Sequence, residues 1–239
     1  MLALAICAFA SSGRAQVVQN VPGFWGHMVS EVTEYFLPPY SGQPNQVGTS
    51  ATGLLFGSSN NDPVEERSYN LFDLSGVQFG PVVSATLDMK AGSWVNQPGP
   101  SETIELWDVS ASNADLRGAW SSTVFADLGS GLSYGQSTLS APSNFDERKL
   151  MTFNSDGISA INSALGSGEF KVGMTLVTMG PPDDIIFGNG TFTPDAVRLQ
   201  LTDAFGGTAT LTLVPEPSSY TLLSSVALLG FLVFKRFSQ

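Results

Sequence analysis

Apolar and polar residues alternate with a period of two along several segments of the chain. This pattern is typical of β-strands that bury one face. It predicts strands over residues 68–74, 103–109, 170–176, 197–201 and 209–213. The longest regular run has apolar residues at every second position, namely Val83, Ala85, Leu87 and Met89. The body of the chain is therefore predicted to be rich in β-structure.

One predicted strand changes phase part of the way along. In the segment 103–109, Ile104 and Leu106 share one face, whereas Trp107 and Val109 share the other. An extra residue in one strand of a pair shifts the alternation in this way, so the change predicts a β-bulge.

A single helix is predicted, over residues 157–165. Asp156 is the expected N-cap, and Gly166 is expected to end the helix in the left-handed conformation. One short helix leaves no crossover connections for a parallel sheet. We therefore predict an all-β fold, an antiparallel β-sandwich of jelly-roll type with one short helix, over residues 16–213.

The N-terminal ten residues are apolar, and Gly13 and Ala15 offer small side chains at the positions that a signal peptidase accepts. Residues 1–15 are thus predicted to be a secretory signal peptide, cleaved after Ala15. It lacks the usual positive region, which indicates that part of the signal is missing. The alternatives are a buried N-terminal element and acylation at Cys7, whose preceding Ile6 differs from the small residue of lipoprotein sites.

The C-terminal segment 214–239 combines three features. Pro215 and Pro217 fix an extended backbone around Glu216, residues 220–234 are mostly apolar, and Lys235 and Arg236 follow. An apolar run of about 15 residues is roughly 22 Å long as a helix, which is a short transmembrane helix. The basic residues after it favour the cytoplasmic side.

This C-terminal segment resembles the PEP-CTERM sorting signal of exported bacterial proteins, although the basic cluster is shorter than is usual. The resemblance implies a membrane exosortase as partner, cleavage near Pro215 to Pro217, and passage from a membrane-anchored precursor to the cell surface or extracellular matrix. It also implies a host that makes exopolysaccharide. The alternative is an ordinary C-terminal membrane anchor.

The body of the chain resembles secreted jelly-roll modules of the DNRLRE type. The shared features are a Gly/Ser-rich stretch at 48–61, the segment 69–75, the strand at 83–87, the helix at 156–165, and Trp107 and Trp120. The resemblance implies a jelly-roll architecture, and fold does not fix function.

Charge and cysteine content exclude several classes of function. The 239-residue chain has a formal net charge of -11, which repels the phosphates of nucleic acid. Its single cysteine, Cys7, lies in the predicted signal peptide, so the mature chain is expected to have no disulfide, thiolate metal site or cysteine nucleophile. His27 is the only histidine, which excludes a metal site with several histidines.

The remaining candidate chemistry lies in acids and aromatic residues. Paired acids at 65–66, at 102 and 105, and at 183–184 could serve a glycan hydrolase, but their setting beside turns favours solvated surface charge. A structural calcium ion is the one cofactor considered, with Asp62 and Glu65, or Asp183 and Asp184, as ligands. Trp94, predicted to lie in a loop, is the candidate for stacking on a sugar ring.

These observations together predict a non-catalytic, exported protein with a structural or adhesive role in an exopolysaccharide layer. A carbohydrate-binding module is the first alternative. A secreted glycan hydrolase that uses loop carboxylates is the second.

Overall fold

The structure, a computed structural model, describes residues 16–29, 57–59, 62–91, 93–97, 101–117, 121–144, 146–178, 183–188 and 196–215. The backbone alone is described in 24–29, 57–59, 62–66, 93–97, 183–188 and at 215. The strands are β1 (Gln16–Val29), β2 (Gly57–Ser59), β3 (Asp62–Asp73), β4 (Val82–Lys90), β5 (Ser93–Gln97), β6 (Ser101–Trp107), β7 (Ser133–Ser140), β8 (Arg148–Thr152), β9 (Glu169–Leu176), β10 (Asp183–Gly188), β11 (Val197–Asp203) and β12 (Thr208–Pro215). The helices are α1 (Asn113–Arg117), α2 (Ser122–Asp127) and α3 (Ser155–Ala164).

The fold is mostly β, as predicted, and all six strands predicted from alternation are present. Nine strands form one continuous sheet in the order β7-β6-β9-β3-β1-β12-β11-β4-β8, β2 pairs with β3, and β5 and β10 form a separate pair. A bulge lies at the predicted place, since the register between β6 and β7 shifts between Leu106 and Trp107, but the extra residue is Tyr134 of β7 and β6 pairs with β9 without a shift.

The long strand β1 connects the two halves of this sheet. Its first half pairs with β12, from Gln16 opposite Thr208 to Gly23 opposite Pro215, and its second half pairs with β3. The β1–β12 pairing is parallel, so the prediction of a purely antiparallel sheet is wrong at this point. Parallel strands need a long connection between them. Because β1 is the first strand and β12 the last, all the strands and helices between them form this connection, and a single crossover helix is not required.

The two outer strands of the sheet, β7 and β8, approach each other, so the sheet is nearly closed and sandwich-like. Thr152 N donates to Ser137 Oγ at 3.1 Å. The chain after β8 continues this contact, because Asn154 N donates to Tyr134 O at 2.7 Å. The space enclosed by the sheet holds the main hydrophobic core, which includes Phe72, Leu87, Leu106, Met151, Phe170, Leu199 and Leu211.

Helix α3 lies at the predicted place and contributes Ile161 to this core. Its N-cap is Asn154, whose Oδ1 accepts hydrogen bonds from Asp156 N at 2.9 Å and Gly157 N at 3.0 Å. The prediction of Asp156 as the cap is therefore wrong, because Asp156 lies in the first turn. Gly166 has a φ of +74°, as expected for the residue that ends the helix.

The prediction of a single helix is also wrong, because α1 and α2 lie on the outer face of β3. Tyr69 and Leu71 of β3 pack there against Leu116, Val124 and Leu128 in a second, smaller core. Tyr69 Oη donates to Leu116 O at 2.7 Å, and burial raises the pKa of its phenol far above the ordinary value. The two short helices thus close one outer face of the sheet.

Candidate functional site

The residues predicted to direct sorting follow the last strand of the fold. Pro215 is the final residue of β12 and pairs with Gly23. Glu216, Pro217, Lys235 and Arg236 lie outside the described residues, as do Ala15, the predicted signal peptide and the predicted transmembrane segment 220–234. In the described part of the chain, no helix is long and apolar enough to cross a membrane.

Trp94, the candidate sugar-binding residue, lies in a strand and not in the predicted loop. It is part of β5, where it is opposite Ile186 of β10. Asp183 and Asp184 begin β10, opposite Gln97 and Asn96. The Trp94 and Asp183–Asp184 sites were predicted independently of each other, and the backbone places them on the same two-stranded sheet.

Asp62 and Glu65, the other candidate calcium ligands, lie in the first residues of β3. Asp62 is opposite Ser59 of β2, and β2 contacts β10. The backbone therefore places β10 beside the hairpin that β2 forms with β3. Among the residues whose side chains are described, no group of three or more His, Cys, Asp or Glu side chains could hold a metal ion. A calcium site at Asp62 and Glu65, or at Asp183 and Asp184, stays a prediction.

The acid pair in β6 does not have the arrangement that glycan hydrolysis requires. Glu102 is on the same face of the strand as the buried Ile104, whereas Glu105 is on the opposite face. Glu102 is buried and accepts a hydrogen bond from Thr178 Oγ1, so the expectation of a solvated charge is wrong for this residue. Glu105 accepts a hydrogen bond from Ser133 Oγ at 2.8 Å. Two carboxylates on opposite faces cannot act on one glycosidic bond.

Asp88 of β4 is the most deeply buried carboxylate among the described side chains, and no pattern in the sequence indicates it. Its side chain is 1% exposed and accepts from Arg148 Nε at 2.5 Å and from Gln200 Nε2 at 2.6 Å. Arg148 Nη2 also donates to the main-chain carbonyl of Asp88 at 3.0 Å. Because Arg148 belongs to β8 and Gln200 to β11, the carboxylate binds three adjacent strands together. Its role is structural.

A pocket of about 270 Å³ lies between the segment after β6 and helices α1 and α2. Asp127 forms part of one wall. Its carboxylate accepts hydrogen bonds from Ser110 Oγ at 2.6 Å, Ser110 N at 3.0 Å and Ala111 N at 2.9 Å. Asp115, on another wall, accepts from Ser112 Oγ at 2.6 Å. The Asp127 bonds join the end of α2 to the segment after β6, and the Asp115 bond lies at the start of α1. The two acids thus hold in place the segments that line the pocket.

Two exposed turns also hold ionised carboxylates. A hydrogen bond from Lys149, followed by hydrogen bonds from Ser143, lowers the pKa of Glu147 from 4.5 to about 2. Hydrogen bonds from Ser75 lower the pKa of Asp73. Both acids belong to turns that enter or leave strands, so their charges fix local backbone geometry.

The sequence contained only a weak signal for these bonded acids. Asp88 occupies a polar position in an alternating strand, where an exposed side chain is the ordinary expectation. Its partners lie 60 and 112 positions later in the chain. Only the pairing of β4 with β8 and β11 brings them together.

Comparison with known proteins gives no relative from which a function can be transferred. No protein-family model matches the chain, and no curated protein sequence matches it.

Proposed function

We propose that this chain is an exported, non-catalytic protein of the cell surface or extracellular matrix, sorted by a membrane exosortase. The observation that carries the proposal is the C-terminal segment 214–239. Its Pro215-Glu216-Pro217 motif, apolar run and terminal Lys235-Arg236 stand in the order that PEP-CTERM signals share. An acidic surface domain with a structural or adhesive role in an exopolysaccharide layer follows from this assignment.

The position of the fold between the two processing points supports the proposal. The first strand begins at Gln16, directly after the predicted signal cleavage at Ala15, and the last strand ends at Pro215. Cleavage after Pro217 would remove no residue of β12. That strand would keep its pairing with β11 on one side and β1 on the other. Removal of both ends would therefore leave the sheet whole.

The test is the intact mass of the protein recovered from the surface or medium of its native host. Replacement of Pro215, Glu216 and Pro217 by Ala-Ala-Ala should leave a longer precursor in the membrane fraction. The matched control replaces the adjacent Ser218 and Ser219 by Ala and should be processed like the unchanged chain. Normal processing and release of the Ala-Ala-Ala variant would contradict the sorting assignment.

Carbohydrate binding is the second candidate function, favoured by the position of Trp94 on the same small sheet as Asp183 and Asp184. An aromatic residue offers a sugar an apolar face, and acidic residues of the same sheet offer hydrogen-bond acceptors. We expect Trp94→Ala to abolish retention on a matrix polysaccharide, whereas Trp94→Phe, which keeps a flat ring, should preserve most of it. If Trp94→Ala were retained as well as the unchanged chain, Trp94 would be excluded as the sugar-binding residue.

The jelly-roll likeness and the calcium site belong to the same proposal. A sandwich-like sheet with short helices, as seen in the described part of the chain, is compatible with the secreted jelly-roll modules that the body of the chain resembles. A calcium ion would bind either at Asp62 and Glu65 or at Asp183 and Asp184. A rise in melting temperature with added Ca²⁺, absent from Asp183→Asn/Asp184→Asn, would be the expected sign of such a site.

A further inference from the structure

The first and last strands of the described fold lie side by side and run in the same direction. Eight residues of β1, from Gln16 to Gly23, are opposite eight residues of β12, from Thr208 to Pro215. Because the pairing is parallel, the start of β1 and the end of β12 lie at opposite ends of the shared ladder. The separation along the strands is about 23 Å at roughly 3.3 Å per residue.

The parallel β1–β12 ladder determines how strongly the fold resists a pulling force in a given direction. The hydrogen bonds of a parallel ladder are evenly spaced and run across the strands. Tension along the strands, applied outward at Gln16 and Pro215, strains all of these bonds together. Tension across the strands at one end of the ladder strains them one after another.

Two features hold β12 in place against sliding. On its other side it pairs with β11, from Thr208 opposite Thr202 to Thr212 opposite Arg198. Its inner face buries Ala209, Leu211 and Leu213 in the main core. A slip by one residue would move this apolar face into water and a polar face into the core. The strand that leads into the C-terminal segment is thus a central strand locked by two ladders and by its side chains.

We infer that the domain resists mechanical tension, and that tension applied at Pro215 is opposed in shear by the β1–β12 ladder. The inference rests on the proposed function in one respect, because attachment of the processed C-terminus to the surface or matrix supplies the tension. The residues that remain after Pro215 once the signal has been cleaved are the attachment point, and the partner is the surface or matrix component that holds them.

Single-molecule pulling on the full chain tests the inference. All variants carry Cys7→Ser, so that DNA handles react only with two introduced cysteines. The shear pair is Gln16→Cys with Pro215→Cys. The matched control is Gln16→Cys with Thr208→Cys, which grips two residues directly opposite each other at one end of the same ladder.

At one loading rate, we expect the shear pair to unfold at a mean force at least about twice that of the control, because the ladder bonds break together and not in sequence. Equal or lower force for the shear pair would overturn the inference. Equal melting temperatures of the two variants, measured in bulk without handles, are required so that the difference reflects pulling direction.

If Gln16→Cys impairs folding, Val18 replaces it. Val18 is exposed and lies opposite Thr210, so Val18→Cys with Pro215→Cys is compared with Val18→Cys and Thr210→Cys by the same criterion. Purified protein is used throughout, so the result does not depend on export or processing. Failure of the sorting assignment appears only in the mass measurement on the Pro-Glu-Pro variant.

Discussion

Replacement of the buried Asp88 by alanine should be among the most destabilising single changes in the fold. The change removes the acceptor of two short hydrogen bonds, from Arg148 Nε and from Gln200 Nε2. A hydrogen bond to a charged group contributes about 1.5–3 kcal/mol, and loss of one partner leaves the other buried without compensation. The Arg148 side chain is 22% exposed, so water can replace part of what it loses. We therefore expect a loss of about 3 kcal/mol in the free energy of unfolding.

Urea denaturation of the full chain measures this loss as a shift of the transition midpoint at constant slope. Asp146→Ala is the matched control, because the side chain of Asp146 is 87% exposed and lies 3.7 Å from Lys90 Nζ. A surface pair of this kind is worth at most about 1 kcal/mol. The reasoning would be refuted if Asp88→Ala destabilised the protein no more than Asp146→Ala.

Two further predictions concern packing and pH. Gly173→Ala should cost about 1–3 kcal/mol, because the new Cβ would lie 2.5 Å from the main-chain oxygen of Leu128, whereas Gly76→Ala meets no atom within 4 Å and should be neutral by the same denaturation assay. The lowered pKa of Glu147 means that its ionised form stabilises the fold above pH 4.5 and that this contribution is lost as the pH falls towards 2. Glu147→Gln should therefore lower the melting temperature at pH 7 and have no effect near pH 2; an equal effect at both values would exclude the charge as the cause.

The strands that alternation predicted are those in which one face packs in the core and the other meets water. In β11 every second residue from Val197 to Leu201 is buried, so the pattern in the sequence is the pattern of burial itself. In β4 the alternation holds for Ala85, Leu87 and Met89, but Val83 is exposed, where the pairing with β11 shifts register, and the polar Asp88 is buried. The register shift at Trp107 lies where a bulge was predicted, but the phase of β6 does not change there, because the extra residue is Tyr134 of β7. The helix α3 was predictable from its apolar spacing, although its cap lies two residues earlier than predicted.

The strands that were missed lack such a pattern. Strand β7 buries only Tyr134 and Leu139 among eight residues, so its sequence appears polar and loop-like. Strand β1 contains Pro22, Gly23 and Gly26 and changes partner in the middle, from β12 to β3. A residue pattern reports burial on one face and carries no information about which strand lies alongside.

The candidate sites show the same limit. Residue type and position along the chain identified Trp94 as a candidate sugar-binding residue and the acids of β3 and β10 as candidate calcium ligands. Their neighbours are set by β2, which pairs with β3 and contacts β10, and short-range sequence patterns do not predict those pairings. Glu102 was expected in solvent because it follows a turn, but the alternation of β6 places it on the buried face.

The pairing of the first strand with the last also determines the order in which the protein can fold. Contacts between residues far apart in sequence form slowly, because a large loop must close before they contribute any stability. The second half of β1 can pair with β3 early, but its first half must wait for β12. During synthesis that half remains an open edge until the residues up to Pro215 have emerged. The sheet is therefore completed last, when the C-terminal strand inserts between β1 and β11.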